Sequence, residues 1–260
     1  MSIINCTPDS FYSPSRASGP EEAAERALAA EGEGADIVDF GAESTRPGAG
    51  YINEEEETTR LIPALRFFRK RSSLPVSVDT RKAAIARLAL DEGADIINDV
   101  SALSDKAMAG LCAERKAAIV LTHGFEKTND RAENDHDHFI SAICSFLLQT
   151  AKKAVDKGIA KDTIMLDPGF GFNKTPEDNI FLLNHLASMD IGDIEDYPLL
   201  VGLSRKRFIG ELTGKDVNGR LSGTITANIL AISGGADIIR VHDTAAAVDM
   251  VKVLNGVLSS

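Results

Sequence analysis

Eight short runs rich in Ile and Val recur along the chain, at residues 2–6, 35–40, 75–79, 94–98, 117–122, 163–167, 199–203 and 236–241. Each is nearly continuous in apolar residues and lacks the alternation of a sheet with one wet face, so the runs predict parallel strands covered on both sides. Segments of helical character separate them. Over residues 20–30, Pro20 suits the first helical position, Glu21 and Glu22 suit the positive end of the helix dipole, and Gly32 and Gly34 stop the helix. Spread over 260 residues, the units average about 32 residues, close to the βα module of a closed barrel. The predicted fold is therefore α/β, a (β/α)8 TIM barrel forming a single domain over residues 1–260. A doubly wound open sheet is the alternative, but it needs edge strands, and none of the eight runs is distinctly amphipathic.

A weak repeat supports the modular reading. Gly-Ala-Asp followed by Ile and Val or Ile occurs at Gly34-Ala35-Asp36, Gly93-Ala94-Asp95 and Gly235-Ala236-Asp237. The three aspartates start strands just after a helix-ending glycine, which places them at the bottom face of a barrel, away from the chemistry. No run reaches the roughly 18 to 20 apolar residues of a membrane-spanning helix, and Met1-Ser2-Ile3-Ile4-Asn5 has no basic or apolar leader pattern, so a cytoplasmic protein is expected. Cys6, Cys112 and Cys144 have unrelated spacings and read as small apolar filler. The net charge of −11 argues against a nucleic-acid surface. It leaves room for a small anion, because a few local cations outweigh charges beyond a Debye length of about 8 to 10 Å.

A barrel builds its active site at the C-terminal ends of its strands, and here nearly every strand ends in a polar group. In order these are Asn5, the segment Glu43-Ser44-Thr45-Arg46-Pro47-Gly48, Asp79, Asn98, His123, Asp167, Ser204-Arg205-Lys206, and Arg240 with His242. Taken alone, Asp79 equally fits the cap of a helix over 80–90. Taken together, eight such residues on one rim predict a single polar pocket, since a charge ending a buried strand must be paired or bound. Two aspartates and an asparagine suit the edge of an aminopyrimidinone ring, while Lys206, Arg240 and His242 suit a phosphate or a carbonyl oxygen. Asn5 offers a neutral oxygen to a hard cation such as Mg²⁺ that shares substrate phosphates.

Seven segments in order, Ile4-Asn5-Cys6-Thr7-Pro8-Asp9-Ser10-Phe11, Gly41-Ala42-Glu43-Ser44-Thr45-Arg46-Pro47-Gly48, Ser77-Val78-Asp79-Thr80, Ile97-Asn98-Asp99, Leu166-Asp167-Pro168-Gly169-Phe170-Gly171-Phe172, Ser204-Arg205-Lys206 and Arg240-Val241-His242-Asp243, together resemble the dihydropteroate synthase family. The resemblance spans the chain. It implies condensation of 6-hydroxymethyl-7,8-dihydropterin diphosphate with p-aminobenzoate, giving 7,8-dihydropteroate and diphosphate in folate biosynthesis. It also implies that Asp79, Asn98, Asp167 and Lys206 bind the pterin, that Thr45, Arg240 and His242 contact the diphosphate, and that Asn5 is the Mg²⁺ ligand. Two loops, at residues 7–18 and 44–51, would cover the site, with Arg46, Pro47 and Phe172 forming the p-aminobenzoate pocket. Asp79, Asp167, Lys206, Arg240 and His242 are the residues implied to carry catalysis. The family resemblance further implies a homodimer.

Four departures stand out. The family usually has Ser after Ser-Arg-Lys, where this chain has Arg207; its guanidinium either binds the p-aminobenzoate carboxylate or is simply exposed at a helix start. The first loop reads Asp9-Ser10-Phe11-Tyr12-Ser13-Pro14 in place of a Gly-Gly pair, and the strand ending at His123 lacks a methionine-rich continuation, leaving His123 open between pocket lining and a structural hydrogen bond. Met1 starts the first strand, so the leading segment that often plugs the barrel bottom is expected to be absent or truncated. Asp135-His136-Asp137-His138 reads as a solvated turn before a helix, and His185 as a helix-surface residue. Two alternatives accompany the synthase reading: a methyltetrahydrofolate:corrinoid methyltransferase, which would not need Lys206, Arg240 and His242 for a diphosphate, and a catalytically silent pterin-binding relative.

Overall fold

The computed structural model describes residues 1–6, 19–43, 52–124, 136–189 and 194–258. All eight expected strands form: β1 (Ser2–Asn5), β2 (Val38–Gly41), β3 (Val76–Asp79), β4 (Ile96–Asp99), β5 (Ala118–Thr122), β6 (Ile164–Asp167), β7 (Leu200–Val201) and β8 (Ile238–Ile239). The helices are α1 (Pro20–Gly32), α2 (Glu54–Arg69), α3 (Ala83–Asp91), α4 (Met108–Arg115), α5 (His136–Asp156), α6 (Pro176–Asn184), α7 (Arg207–Thr213), α8 (Leu221–Ser233) and α9 (Thr244–Leu258). Among the described residues none is long and apolar enough to cross a membrane.

β1 to β6 form one parallel sheet in sequence order and β7 pairs in parallel with β8. Two single bridges, Leu166 with Leu199 and Ser2 with Val241, join the two sheets into a closed ring. Val241 N–H donates to Met1 O at 3.0 Å and Ile3 N–H to Val241 O at 2.8 Å, so the first and last strands are stitched together. β7 and β8 are shorter than the sequence runs predict, because each meets the six-stranded sheet at one residue pair only.

Two separate apolar cores follow from strands buried on both faces. The larger lies between the sheet and the helices and contains Phe40 against Phe68, ring centroids 5.7 Å apart, and the alanine face of α1, Ala23, Ala24, Ala27 and Ala30. The smaller fills the barrel's lower interior with Met1, Ile96, Val120, Met165 and Leu200, ringed by Ile37, Ala118 and Ile238. Met1 adds an ammonium bond to Ile239 O at 3.0 Å. At the strand starts, Asp95 Oδ2 accepts from Val76 N–H and Asp237 Oδ2 from Leu199 N–H, both at 2.8 Å, the structural role expected of the repeat. Cys6, Cys112 and Cys144 are buried, and burial pushes their thiols up to about 12, 12 and 11, which makes them apolar filler.

Candidate active site

Side chains two apart on a strand share a face, so the residues above the lower core are dictated by it. Ile37 is followed inward by Asp39, Ile96 by Asn98, Val120 by Thr122, Met165 by Asp167 and Ile238 by Arg240. The interior changes from hydrocarbon to polar in one step, about 6.6 Å along each strand.

Arg240 bridges this polar layer. Its Nε donates to Asp39 Oδ2 at 2.6 Å and its Nη2 to Asp79 Oδ2 at 2.9 Å. Asn98 Nδ2 donates to the same Asp39 oxygen at 3.3 Å. Burial would lower the Arg240 guanidinium, but Asp39 and Asp79 outweigh it and hold the group above its ordinary value. Asp79 is pushed up to about 7: burial is the largest cause, Arg240 opposes it, and the Asp39 carboxylate adds to it. Asp167 is also raised, again chiefly by burial, while the Gly169 N–H bonded to its Oδ1 at 2.8 Å and the nearby Lys206 act against the shift.

Four buried polar atoms of this layer, Asp39 Oδ1, Ser77 Oγ, Asn98 Oδ1 and Thr122 Oγ1, have no hydrogen-bond partner within the protein. Buried acceptors and donors left unpaired cost about 1 to 3 kcal/mol each. Four of them in one interior layer mark a place where a polar ligand or water completes the bonding. The cations stand opposite, on the two-stranded side. Lys206 precedes α7 with its Nζ 5.0 Å from the centre of the Phe172 ring, and His242 Nδ1 lies 2.9 Å from Ser204 Oγ.

Known proteins resemble this chain in both sequence and fold. A family model described as pterin binding enzyme matches residues 1–242. The dihydropteroate synthase of Bacillus subtilis is 39% identical over 260 residues, covering all of this chain and 88% of that protein. Among solved structures, Xanthomonas albilineans dihydropteroate synthase with 4-aminobenzoic acid superposes with a TM-score of 0.90 at 39% identity, covering 100% of this chain and 92% of the other. The same enzyme in complex with 7,8-dihydropteroate gives 0.87 at 36% identity, covering 100% and 93%. The chain belongs to the dihydropteroate synthase family. It is accordingly a transferase on a single-domain barrel, and the corrinoid methyltransferase alternative falls away.

The structure of this synthase brings Asp79, Asn98, Asp167 and Arg240 together at the barrel mouth and puts Asn5, Lys206, Phe172 and His242 on the surrounding rim. Thr45, Arg46 and Pro47, and the loops 7–18 and 44–51, lie outside the described residues. Three of these residues have surroundings that bear on their expected roles. Asp79 does not cap α3; that helix begins at Ala83, whose N–H is taken by Asp105 Oδ2 at 2.8 Å. Arg240, expected as a diphosphate contact, commits Nε and Nη2 to two carboxylates, because an unpaired guanidinium inside the barrel would be far more costly. Arg207 is 84% exposed on the first turn of α7 and bonds Glu211 four residues on, at 2.7 Å, so its guanidinium is engaged on the helix surface.

Sequence reasoning missed Asp39, the fully buried partner of Arg240. Its signal was an acid inside an apolar run on the same face as Gly41, a position that demands a cation from elsewhere. It also missed the ties on either side of segment 44–51. Lys82 Nζ donates to Glu43 Oε2 at 3.0 Å, Glu57 Oε2 at 2.5 Å and Ile52 O at 2.9 Å, while Arg81 Nη2 donates to Glu43 Oε1 at 2.8 Å. Desolvation alone would raise the Glu43 carboxyl, but its bonds to Arg81 and Lys82 win and hold it below the usual carboxylate range. Arg205, quoted within the Ser-Arg-Lys motif, is buried and bidentate to Asp243, at 2.9 and 2.7 Å, which makes it structural. His185 stacks on Phe181, centroids 3.9 Å apart, at the end of α6, and His138 is exposed at the start of α5. The side chains of Asp135, His136 and Asp137 lie outside the described residues.

Proposed function

We propose that this chain catalyses the condensation of 6-hydroxymethyl-7,8-dihydropterin diphosphate with p-aminobenzoate to give 7,8-dihydropteroate and diphosphate. The observation that carries the reading is the set of unpaired buried polar atoms in the same interior layer as Asp79, Asp167 and Arg240. An aminopyrimidinone edge offers adjacent N–H donors and a carbonyl, the complement of two carboxylates, an asparagine and a lysine. Asp79, Asn98, Asp167 and Lys206 therefore hold the pterin.

Thr45 and His242 hold the diphosphate, with Arg240 acting on it electrostatically through the Nη1 donors that neither carboxylate uses. Asn5 ends β1 as a single neutral oxygen, and among the described residues no group of three His, Cys, Asp or Glu could hold a metal. That donor set fits only an ion that keeps its waters and shares substrate phosphates, as Mg²⁺ does. When bound, Mg²⁺ supplies positive charge to the departing diphosphate.

In the reaction the methylene C–O bond breaks and its electron pair leaves with the diphosphate. The positive charge spreads into the pterin ring, where the Asp167 carboxylate stabilises it from a site of low dielectric. The arylamine lone pair then forms the C–N bond, and the ammonium so formed loses its proton to water. A strong base is not needed, because the amine is neutral at pH 7. Arg46, Pro47 and Phe172 line the p-aminobenzoate pocket, and exclusion of water from the site keeps it from capturing the cation. We place the enzyme as a homodimer, as the family resemblance implies; sedimentation at twice the chain mass would support this and sedimentation at the chain mass would overturn it.

The deciding assay supplies pterin diphosphate, p-aminobenzoate and Mg²⁺, and follows diphosphate release and product mass. Dihydropteroate formation is the expected result. No product with both substrates present overturns the reading, and pterin diphosphate binding without turnover assigns a silent relative.

A further inference from the structure

The turn between β6 and α6 carries Phe172 into the mouth, and a lysine absent from the reaction just described holds it there. Lys174 Nζ lies 3.0 Å from His123 Nδ1 and donates to Gly169 O at 3.0 Å and Phe172 O at 3.4 Å. Three acceptors from two strand ends thus converge on one ammonium. The backbones themselves are in contact: a Cβ on Gly169 would sit 1.8 Å from His123 O, and one on Gly124 would sit 2.9 Å from Phe172 O and 3.0 Å from Lys174 Nζ. Asn173 Nδ2 donates to Gly124 O at 2.8 Å, and His123 N–H to Asp167 O at 2.9 Å. Behind the turn, Thr175 and Asp178 form a capping box that starts α6, and Asn179 Oδ1 accepts from Gly171 N–H at 2.7 Å.

Burial, reinforced by Lys174, brings the His123 ring down to about 3, so it is neutral and its Nδ1 accepts from the lysine. Burial also brings Lys174 down to about 7, against the pull of Asp167 and Asp178. His123 in turn meets Phe146 of α5 edge-on, centroids 5.0 Å apart, which fixes the ring plane.

We propose that Lys174 is a positioning residue for the second substrate: anchored on His123, it sets the turn 168–174 so that Phe172 faces Lys206 across the mouth. The proposal rests on the assignment of Phe172 to the p-aminobenzoate pocket. It resolves the role of His123 as an anchor rather than a pocket wall.

Steady-state kinetics with pterin diphosphate and p-aminobenzoate test it in Lys174→Met, which keeps most of the unbranched side chain and removes its donors, in His123→Ala, and in the double variant, with Phe172→Ala as reference. The expected result is a rise in p-aminobenzoate KM of about tenfold or more in Lys174→Met, with kcat and the pterin diphosphate Kd changed less than about threefold, and a double variant no worse than the worse single, as for two ends of one contact. An unchanged p-aminobenzoate KM in Lys174→Met beside a raised one in Phe172→Ala overturns the positioning role alone. An unchanged KM in Phe172→Ala overturns the pocket assignment and the proposal with it. Equal weakening of both substrates, or additive single effects, also overturns it. Should Lys174→Met fail to fold, His123→Ala, which removes only the acceptor, carries the same comparison.

Discussion

The lower and upper interiors of the barrel are built from the same strands, one pair of residues apart, and share almost no chemistry. Below, Met1, Ile96, Val120, Met165 and Leu200 pack without a polar side chain among them. Above, Asp39, Asn98, Thr122, Asp167 and Arg240 present charges and unpaired polar atoms. Hydrocarbon packing stabilises the native state, whereas the upper layer is costly until a ligand completes it. The rigid plug thus holds the strand ends in place while the polar layer keeps its bonding capacity for substrate.

The largest effects should come from the cations, and they should split the comparison. Lys206→Ala is expected to lower kcat about 100- to 1,000-fold with little change in melting temperature, since Lys206 sits on the half-exposed rim. Arg240→Ala should lose turnover similarly and also destabilise the fold by about 3 to 5 kcal/mol, because it leaves Asp39 and Asp79 buried without their partner. Urea denaturation of both variants checks the pair; equal stability would mean that the upper layer carries no structural charge pair.

Met165→Ala is the reverse experiment. It should cost about 2 to 5 kcal/mol by opening a cavity in the lower core while kcat per folded molecule stays within about twofold, and a large loss of kcat would show that the plug and the site are not separable. A smaller effect is expected from pH. A proton competes with the pterin for Asp79, whose carboxyl titrates at about 7, so pterin affinity by calorimetry should be flat above about pH 7.5. It should weaken below that by up to about tenfold per pH unit. The smallest is Arg207→Ser. With its guanidinium exposed on Glu211, stability should move by less than about 0.5 kcal/mol and p-aminobenzoate KM by less than about twofold; a larger KM shift would restore it to the pocket.

Much of this arrangement was legible in the sequence because strand interiors are buried on both sides, so apolar runs mark the elements and the first polar residue after each run marks the rim. Asp79, Asn98 and Asp167 were found in that way. Asp39 was not, since it lies before its strand's end and its meaning depends on Arg240, 201 residues away. Lys174 was missed for a related reason: it follows a run of turn residues, and only the meeting of two neighbouring strand ends gives its ammonium three acceptors. The separate fates of Ser204, Arg205 and Lys206 were equally hidden, because three adjacent residues at a strand end point three ways, to His242, to Asp243 and to the Phe172 ring.

The ring of strands is closed by single bridges on either side of β7 and β8, and this seam also divides the charges. Asp39, Asp79 and Asp167 belong to the six-stranded piece, Lys206, Arg240 and His242 to the two-stranded one. The carboxylates of the polar layer and the cations that face them thus come from opposite sides of the seam. Closure of the seam is therefore what creates the site, and the Arg240 contacts to Asp39 and Asp79 are the electrostatic latch that registers one piece against the other. A chain cut between β6 and β7 would report its own reassembly through catalysis.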